Sequence, residues 1–407
     1  MLKRIILFIP VIILLGACLE ESSEKLDKKA FTKIYDNSEF YSSFYAIDLK
    51  QTSDGGFIIL GGKTEVVKEG GVSQNVNSPL GIYILKIDQL GNIVTKHEVE
   101  GYTYPIGKLN QIGDNFYFFC MDEGTNAYLV NIGLLADISI VTPLSSTLTL
   151  PLASGLDNSG SLLLLSYDNS TQETVISKIS TTGTVSDESR FYTGAESPID
   201  DLVVNHANRE GTQFPFAVGQ TSAGKYFFNG FINYTFSLVF TDMSGDENIT
   251  GIVNGQQQNA GFSSVLPISG DSFAASSYNF GFNFLMPNTT LVTNGPPTSV
   301  TNVQATGFSF PELESNAYVH AIRAILGGKN VIIFGSNTKS GQIGLYVYDE
   351  TTGEFLSSKY LGYSNPFEIA ALVQTPEGDI VVSGTTYIAG RLPRFCLIKV
   401  PKDEIKD

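Results

Sequence analysis

Few side chains in this chain are of a type that does chemistry. Histidine occurs three times, as His97, His206 and His320; cysteine occurs three times, as Cys18, Cys120 and Cys396; tryptophan is absent. No histidine has a cysteine, an aspartate or a second histidine at ligand spacing, and there is no C-x-x-C pair, so no zinc-type cluster is written in the sequence. G-x-S-x-G, H-E-x-x-H, the phosphate-binding loop and the dinucleotide fingerprint are all missing. Glycine pairs such as Gly61-Gly62, Gly70-Gly71 and Gly327-Gly328 read as turn residues. Asp200-Asp201 could serve glycoside hydrolysis only if partner carboxylates came within about 5 to 10 Å, and neighbours on a strand point to opposite faces. Turn aspartates could hold calcium, but no D-x-D-x-D-G loop is present. No catalytic, metal or cofactor residue is therefore assigned. His97 is expected on an outer strand, His206 in a loop-like N-H-A-N-R-E-G run, and His320 at the start of an innermost strand, where it would line a central channel. Tyr278, Phe280, Phe282 and Phe284 alternate, which on one strand would put four rings on one face, either as packing or as a platform for sugar or peptide.

Cys18 is different, because of what precedes it. Met1 to Ala17 carries Lys3 and Arg4, then an apolar run from Ile5 to Leu15, then small residues, the three parts of an export signal. The run is too short to span a bilayer comfortably, and an acidic stretch follows it at once. Leu15-Gly16-Ala17-Cys18 resembles a bacterial lipobox. The resemblance implies that Cys18 receives a diacylglycerol, that the leader is cut before it, and that the new N-terminus is acylated, for example with palmitate. Several acyl chains give stable anchoring where one is marginal. Residues 18–29 are polar and acidic and read as a flexible tether. Early acidic residues also resemble the export tag of some Gram-negative surface lipoproteins. The expected address is the outer membrane, with the cell surface favoured over the periplasmic face.

Composition limits the partners. The chain has 407 residues and a formal charge of −16, and losing Lys3 and Arg4 with the leader takes it to −18. Such a surface repels phosphate backbones, which excludes nucleic acid. Cys120 and Cys396 sit inside apolar runs and are expected as small buried residues rather than as a disulfide.

The elements that would position any site come from a repeat. Gln51 to Thr64 reads as a strand end, a D-G-G turn and an apolar run of β-branched and aromatic residues, and Gln374 to Thr385 is its closest internal match. Weaker copies give seven units of four short strands, with one strand missing from the last unit. Ala30 to Asp36 looks like an outer strand and is expected to supply it. The pattern resembles the D-G-G-type propeller repeats of secreted bacterial proteins. It implies an all-β fold, a seven-bladed β-propeller over residues 30–407, closed by the N-terminal strand. The expectation is a monomeric, lipid-anchored binding or scaffolding module for protein or glycan, without cofactors. The alternative is a propeller glycosidase or lyase whose residues gather from several blades.

Overall fold

The computed structural model describes residues 30–36, 41–65, 67–69, 72–74, 79–193, 198–232, 234–253, 260–295, 300–301, 307–388 and 392–405. The leader (1–17), Cys18 and the tether (18–29) lie outside them. Among the described residues the blade strands form seven antiparallel units of four, each running from an innermost strand a to an outermost strand d; Val300–Thr301 adds a parallel edge to the fourth, and Val67–Glu69 pairs with Val72–Gln74 outside the blades. Blade 1 comprises Ser42–Gln51, Phe57–Glu65, Gly81–Ile87 and the first part of Ile93–Ile112. That 20-residue strand continues as strand a of blade 2, which adds Asn115–Met121, Ala127–Ile132 and Ile138–Pro143, so two blades share one ladder. Blade 3 is Pro151–Leu156, Leu162–Asp168, Glu173–Ile179 and Val185–Phe191, and blade 4 is Val218–Gln220, Tyr226–Ile232, Thr235–Thr241 and Ile249–Val253. Blade 5 is Ala260–Ser269, Ser272–Asn279, Phe282–Thr290 and the two-residue Phe308–Ser309. Blade 6 is Val319–Leu326, Lys329–Asn337, Ile343–Asp349 and Phe355–Leu361. Blade 7 is Phe367–Gln374, Ile380–Thr386, Arg394–Val400 and, from the other end of the chain, Phe31–Tyr35.

The D-G-G turn has a specific job. Gly55 holds φ +80°, which the turn requires, and a Cβ at Gly56 would lie 2.6 Å from the Lys86 Nζ. Lys86 is wholly buried on strand c, where its Nζ donates to Thr52 Oγ1 at 2.7 Å and pairs with Asp54 Oδ1 at 2.8 Å. Lys178 and Lys399 occupy the same ladder position, one residue in from the start of the facing b strand. They pair with Asp157 (2.6 Å) and Asp379 (3.3 Å) of their own a–b turns. The repeat thus encodes a lysine latch between strand c and the turn.

Seven apolar clusters fill the seams between consecutive blades. The one that closes the ring joins Phe44, Phe57 and Tyr83 of blade 1 to Val381, Phe395 and Leu397 of blade 7. The N-terminal strand pairs antiparallel with Arg394–Val400 from Phe31↔Lys399 to Tyr35↔Phe395, as the missing-strand pattern predicts. Closure buries the blade faces against one another and leaves only short edges at the rim and the axis. Cys120 and Cys396 are buried and unbridged inside this packing.

Two described elements depart from the all-strand expectation, a single 3-10 turn at Lys402–Glu404 and a longer helix. Ile199–Ala207 is a helix inserted between strand d of blade 3 and strand a of blade 4. Asp200 and Asp201 occupy its first turn, where they favour the positive end of the helix dipole, so they are not strand neighbours. His206 lies in its last turn, not in a loop. Ile199, Val203, His206 and Ala207 form its buried stripe.

Candidate functional site: the entry face and the axial channel

Antiparallel order places every d–a and b–c connection on one face of the ring, where the innermost strands enter, and every a–b and c–d turn on the other. Ten aromatic side chains are exposed among the described residues. Seven stand on the entry face: Tyr41, Tyr192, Tyr318 and Tyr363 on d–a connections, and Tyr234, Phe280 and Phe282 at b–c turns. The other three, Phe308, Phe355 and Tyr360, lie on outer strands of blades 5 and 6. The opposite-face turns carry exposed aliphatics such as Leu90, Leu135 and Val292 but no exposed ring among the described residues.

Phe280 and Phe282 correct the expectation of a four-ring stripe. Phe280 and Gly281 hold φ +48° and +85° and form the turn between strands b and c of blade 5. Tyr278 and Phe284 therefore lie on different strands of a hairpin. Tyr278 is buried, whereas Phe280 is 65% exposed at the tip.

Below this face the innermost strands of neighbouring blades pack side by side and bound the axial channel of the ring. His320, on strand a of blade 6, is half-buried and interacts across the ring with charges on blades 1 and 2. It faces Asp48 of blade 1 and Lys108 of blade 2. Burial drives its pKa down to about 4, with Lys108 adding to the shift and Asp48 opposing it, so the imidazole is neutral at pH 7. The channel walls crowd out solvent and lower the pKa of Lys108, whose side chain is open to the channel, helped by Lys50 and opposed by Asp48. Asp48 is fixed: its Oδ1 accepts Leu49 N at 2.8 Å and its Oδ2 accepts Leu109 N at 2.6 Å, tying blade 1 to blade 2. On the other side, Lys108 N donates to Ser154 Oγ at 3.0 Å and ties blade 2 to blade 3.

The helix insert reaches over the channel mouth. Arg209, just past its C-terminus, donates from Nη2 to the Pro105 carbonyl of blade 2 at 3.4 Å and lies near the Tyr318 phenol of blade 6. His206 is not a site residue. Its Nδ1 accepts Phe214 N at 3.1 Å, its ring packs on Phe216 with centroids 4.8 Å apart, and burial takes its pKa down to about 3. Glu368, exposed near the start of strand a of blade 7, accepts from Tyr387 Oη at 2.9 Å, and partial desolvation raises its pKa. His97 stays on an outer strand against Thr95 Oγ1 at 2.9 Å, away from the channel. Among the described residues no group of three histidine, cysteine or acidic side chains could hold a metal ion.

Lys108, Asp48, Arg209 and Glu368 were not singled out in the sequence. The only signal for Asp48, Lys108 and Glu368 is a place on an innermost strand, which requires the blade register first, and Arg209 lies in the connection after the inserted helix, outside the repeat. Chemically, the channel offers a neutral imidazole, a lysine with reduced basicity and a fixed carboxylate, within a ring whose surface is strongly acidic.

No protein-family model matches the chain. No curated protein matches it either. Solved structures do match. One is a protein of unknown function from Bacteroides caccae, at 10% identity and TM-score 0.36 over 74% of this chain and 78% of that one. Another is the Neurospora crassa Pan2 WD40 domain, at 9% identity and TM-score 0.45 over 91% and 94%. A third is the β-propeller domain of the Pyrococcus furiosus Trilobed protease, at 12% identity and TM-score 0.43 over 90% and 99%.

Proposed function

We propose that this chain is a lipid-anchored β-propeller of a Gram-negative outer membrane that binds a protein or glycan partner through its entry face. The observation that carries this reading is the sorting of exposed rings: seven of ten stand on entry-face connections, and none on the opposite turns among the described residues. Tyrosine and phenylalanine give rigid contact area at low entropic cost and stack on sugar faces or fill protein pockets. Loops held on a rigid scaffold are where such folds bind. Support for the anchor is the leader ending in Leu15-Gly16-Ala17-Cys18. The 12 residues between Cys18 and Phe31, as a flexible chain, would hold the ring about 20 Å from the membrane.

The test is binding to glycan and extracellular-protein arrays by wild type and by Tyr192→Ala, Phe280→Ala and Tyr363→Ala. Loss of signal in these variants with unchanged melting supports the reading, and a signal indifferent to all three removes it. A second reading, catalysis in the channel, is favoured by the convergence of His320, Lys108 and Asp48 from three blades. It requires polysaccharide chain cleavage that His320→Ala abolishes.

A further inference from the structure

The three exposed rings outside the entry face mark a second site. They open onto a cleft of about 370 Å³ on the rim of the ring, between the outer strands of blades 5 and 6. Its walls are aromatic. Phe308 stacks on Tyr348 at 5.5 Å and 28°, and Phe355 meets the same tyrosine edge-on at 5.5 Å. Opposite them Phe310 and Tyr346 lie 4.6 Å apart, with Tyr360 perpendicular to Tyr346 at 6.4 Å. Elsewhere, interblade seams bury their rings, yet Phe308 and Phe355 remain 49% and 50% exposed here.

One charge belongs to the cleft, the Glu312 carboxylate. Tyr346 Oη donates to its Oε1 at 2.7 Å, and Tyr360 Oη lies 2.9 Å from both oxygens. Both donors are neutral: lost solvation, with Glu312 beside them, pushes their pKa values up and keeps them protonated. Lys339 is close in the chain packing, but its Nζ donates to the Pro311 carbonyl at 2.6 Å and makes no ion pair with Glu312 among the described residues. Tyr348, paired with Ile332 of strand b, is buried, and its hydroxyl has no partner among the described residues.

We propose that this cleft binds an N-methylated ammonium ion, held by cation–π contact with the rings and by the charge of Glu312. Ring faces attract cations within about 6 Å of their centroids, most strongly when water is excluded. A primary ammonium is a compact, strongly hydrated charge, and this largely aromatic cleft would strip that hydration with one carboxylate, Glu312, to replace it. A saccharide would need several directional partners, and the phenols of Tyr346 and Tyr360 are already committed to Glu312. An N-methylated ammonium needs none. The acidic chain favours a cation further.

The test is calorimetric titration of the purified protein with choline, with its uncharged isostere carrying tert-butyl in place of trimethylammonium, and with methyl glucoside. Saturable choline binding is expected, with the isostere about tenfold weaker or worse. Glu312→Gln keeps the shape and removes the charge, and Phe355→Ala removes an exposed ring at little risk to folding. Each is expected to weaken choline about fivefold or more while leaving melting unchanged. Equal binding of the isostere, binding of the glucoside instead, no saturable choline binding, or wild-type affinity in both variants would overturn the proposal.

Discussion

Lys86 Nζ sits 2.8 Å from Asp54 Oδ1, a fully buried cation paired with a carboxylate on a half-exposed turn. The ladder fixes the lysine, and the turn supplies the acid from whatever position it has: Asp54 in blade 1, Asp157 in blade 3, Asp379 in blade 7. Conserving the lysine's place while moving the acid explains why the repeat is faint as a motif and firm as a structure. Removing one partner leaves a buried charge, so Asp54→Ala is expected to cost about 3 kcal/mol in urea unfolding. Lys86→Met added to Asp54→Ala is expected to restore most of that loss. The carboxylate also carries a pH signature. Hydrogen bonds and charge from Lys86, with Thr52 and the Gly56 amide, outweigh desolvation and hold its pKa at about 2, below the ordinary 3.8. Its contribution is therefore complete above pH 3.8 and is lost as pH falls through 2, which acid titration of wild type against Asp54→Asn reads directly.

Ring closure rests on a second buried cation. Arg394 is fully buried; its Nε pairs with Asp36 Oδ1 at 2.9 Å, and its Nη1 donates to the Ser42 carbonyl at 2.7 Å. One guanidinium thus holds the end of the closing strand and the start of the first innermost strand. Arg394→Ala is expected to cost about 3 to 5 kcal/mol, and Arg394→Lys less, since lysine keeps the charge but not the fork. Deleting residues 30–36 would expose Arg394–Val400 as an edge, and size-exclusion chromatography is expected to show dimers or larger species.

His206 makes a separate pH prediction. Its folded pKa of about 3 lies below the ordinary 6.5, so between those values the unfolded chain binds the extra proton. Stability should be full above pH 6.5 and decline as pH falls toward 3. Melting temperature against pH is expected to be flatter in His206→Leu than in wild type.

Much of the fold was legible because its signals are local. Asp-Gly turns and short apolar strands repeat within a few dozen residues, and the missing last strand had a visible counterpart at Ala30 to Asp36. The helix was missed, although Pro198, the acidic pair Asp200-Asp201 and apolar Ile199, Val203 and Ala207 at helical spacing carry it. Its stripe is only about two turns long and includes a histidine. Tyr278 to Phe284 was misread because Phe280, a residue that rarely takes positive φ, begins the turn. The channel was out of reach for another reason. His320, Asp48 and Lys108 are brought together by three blades, and no spacing in the chain records that. The rim cleft depends on Phe308, in a two-residue strand of the most degenerate repeat.

Anchoring is tested by labelling cells with an alkyne-bearing palmitate. Wild type is expected to incorporate label and to fractionate with the outer membrane. Cys18→Ala is expected to do neither, and an equally labelled Cys18→Ala protein would contradict the lipobox assignment.

The most direct test of entry-face binding is photocrosslinking in the native cells, with a benzophenone amino acid placed at Tyr192, Phe280 or Tyr363 and, on the opposite face, at Leu90 or Leu135. Discrete adducts from the three entry-face positions and none from the other two are the expected result. Adducts confined to Leu90 and Leu135 would contradict it and turn the binding face over.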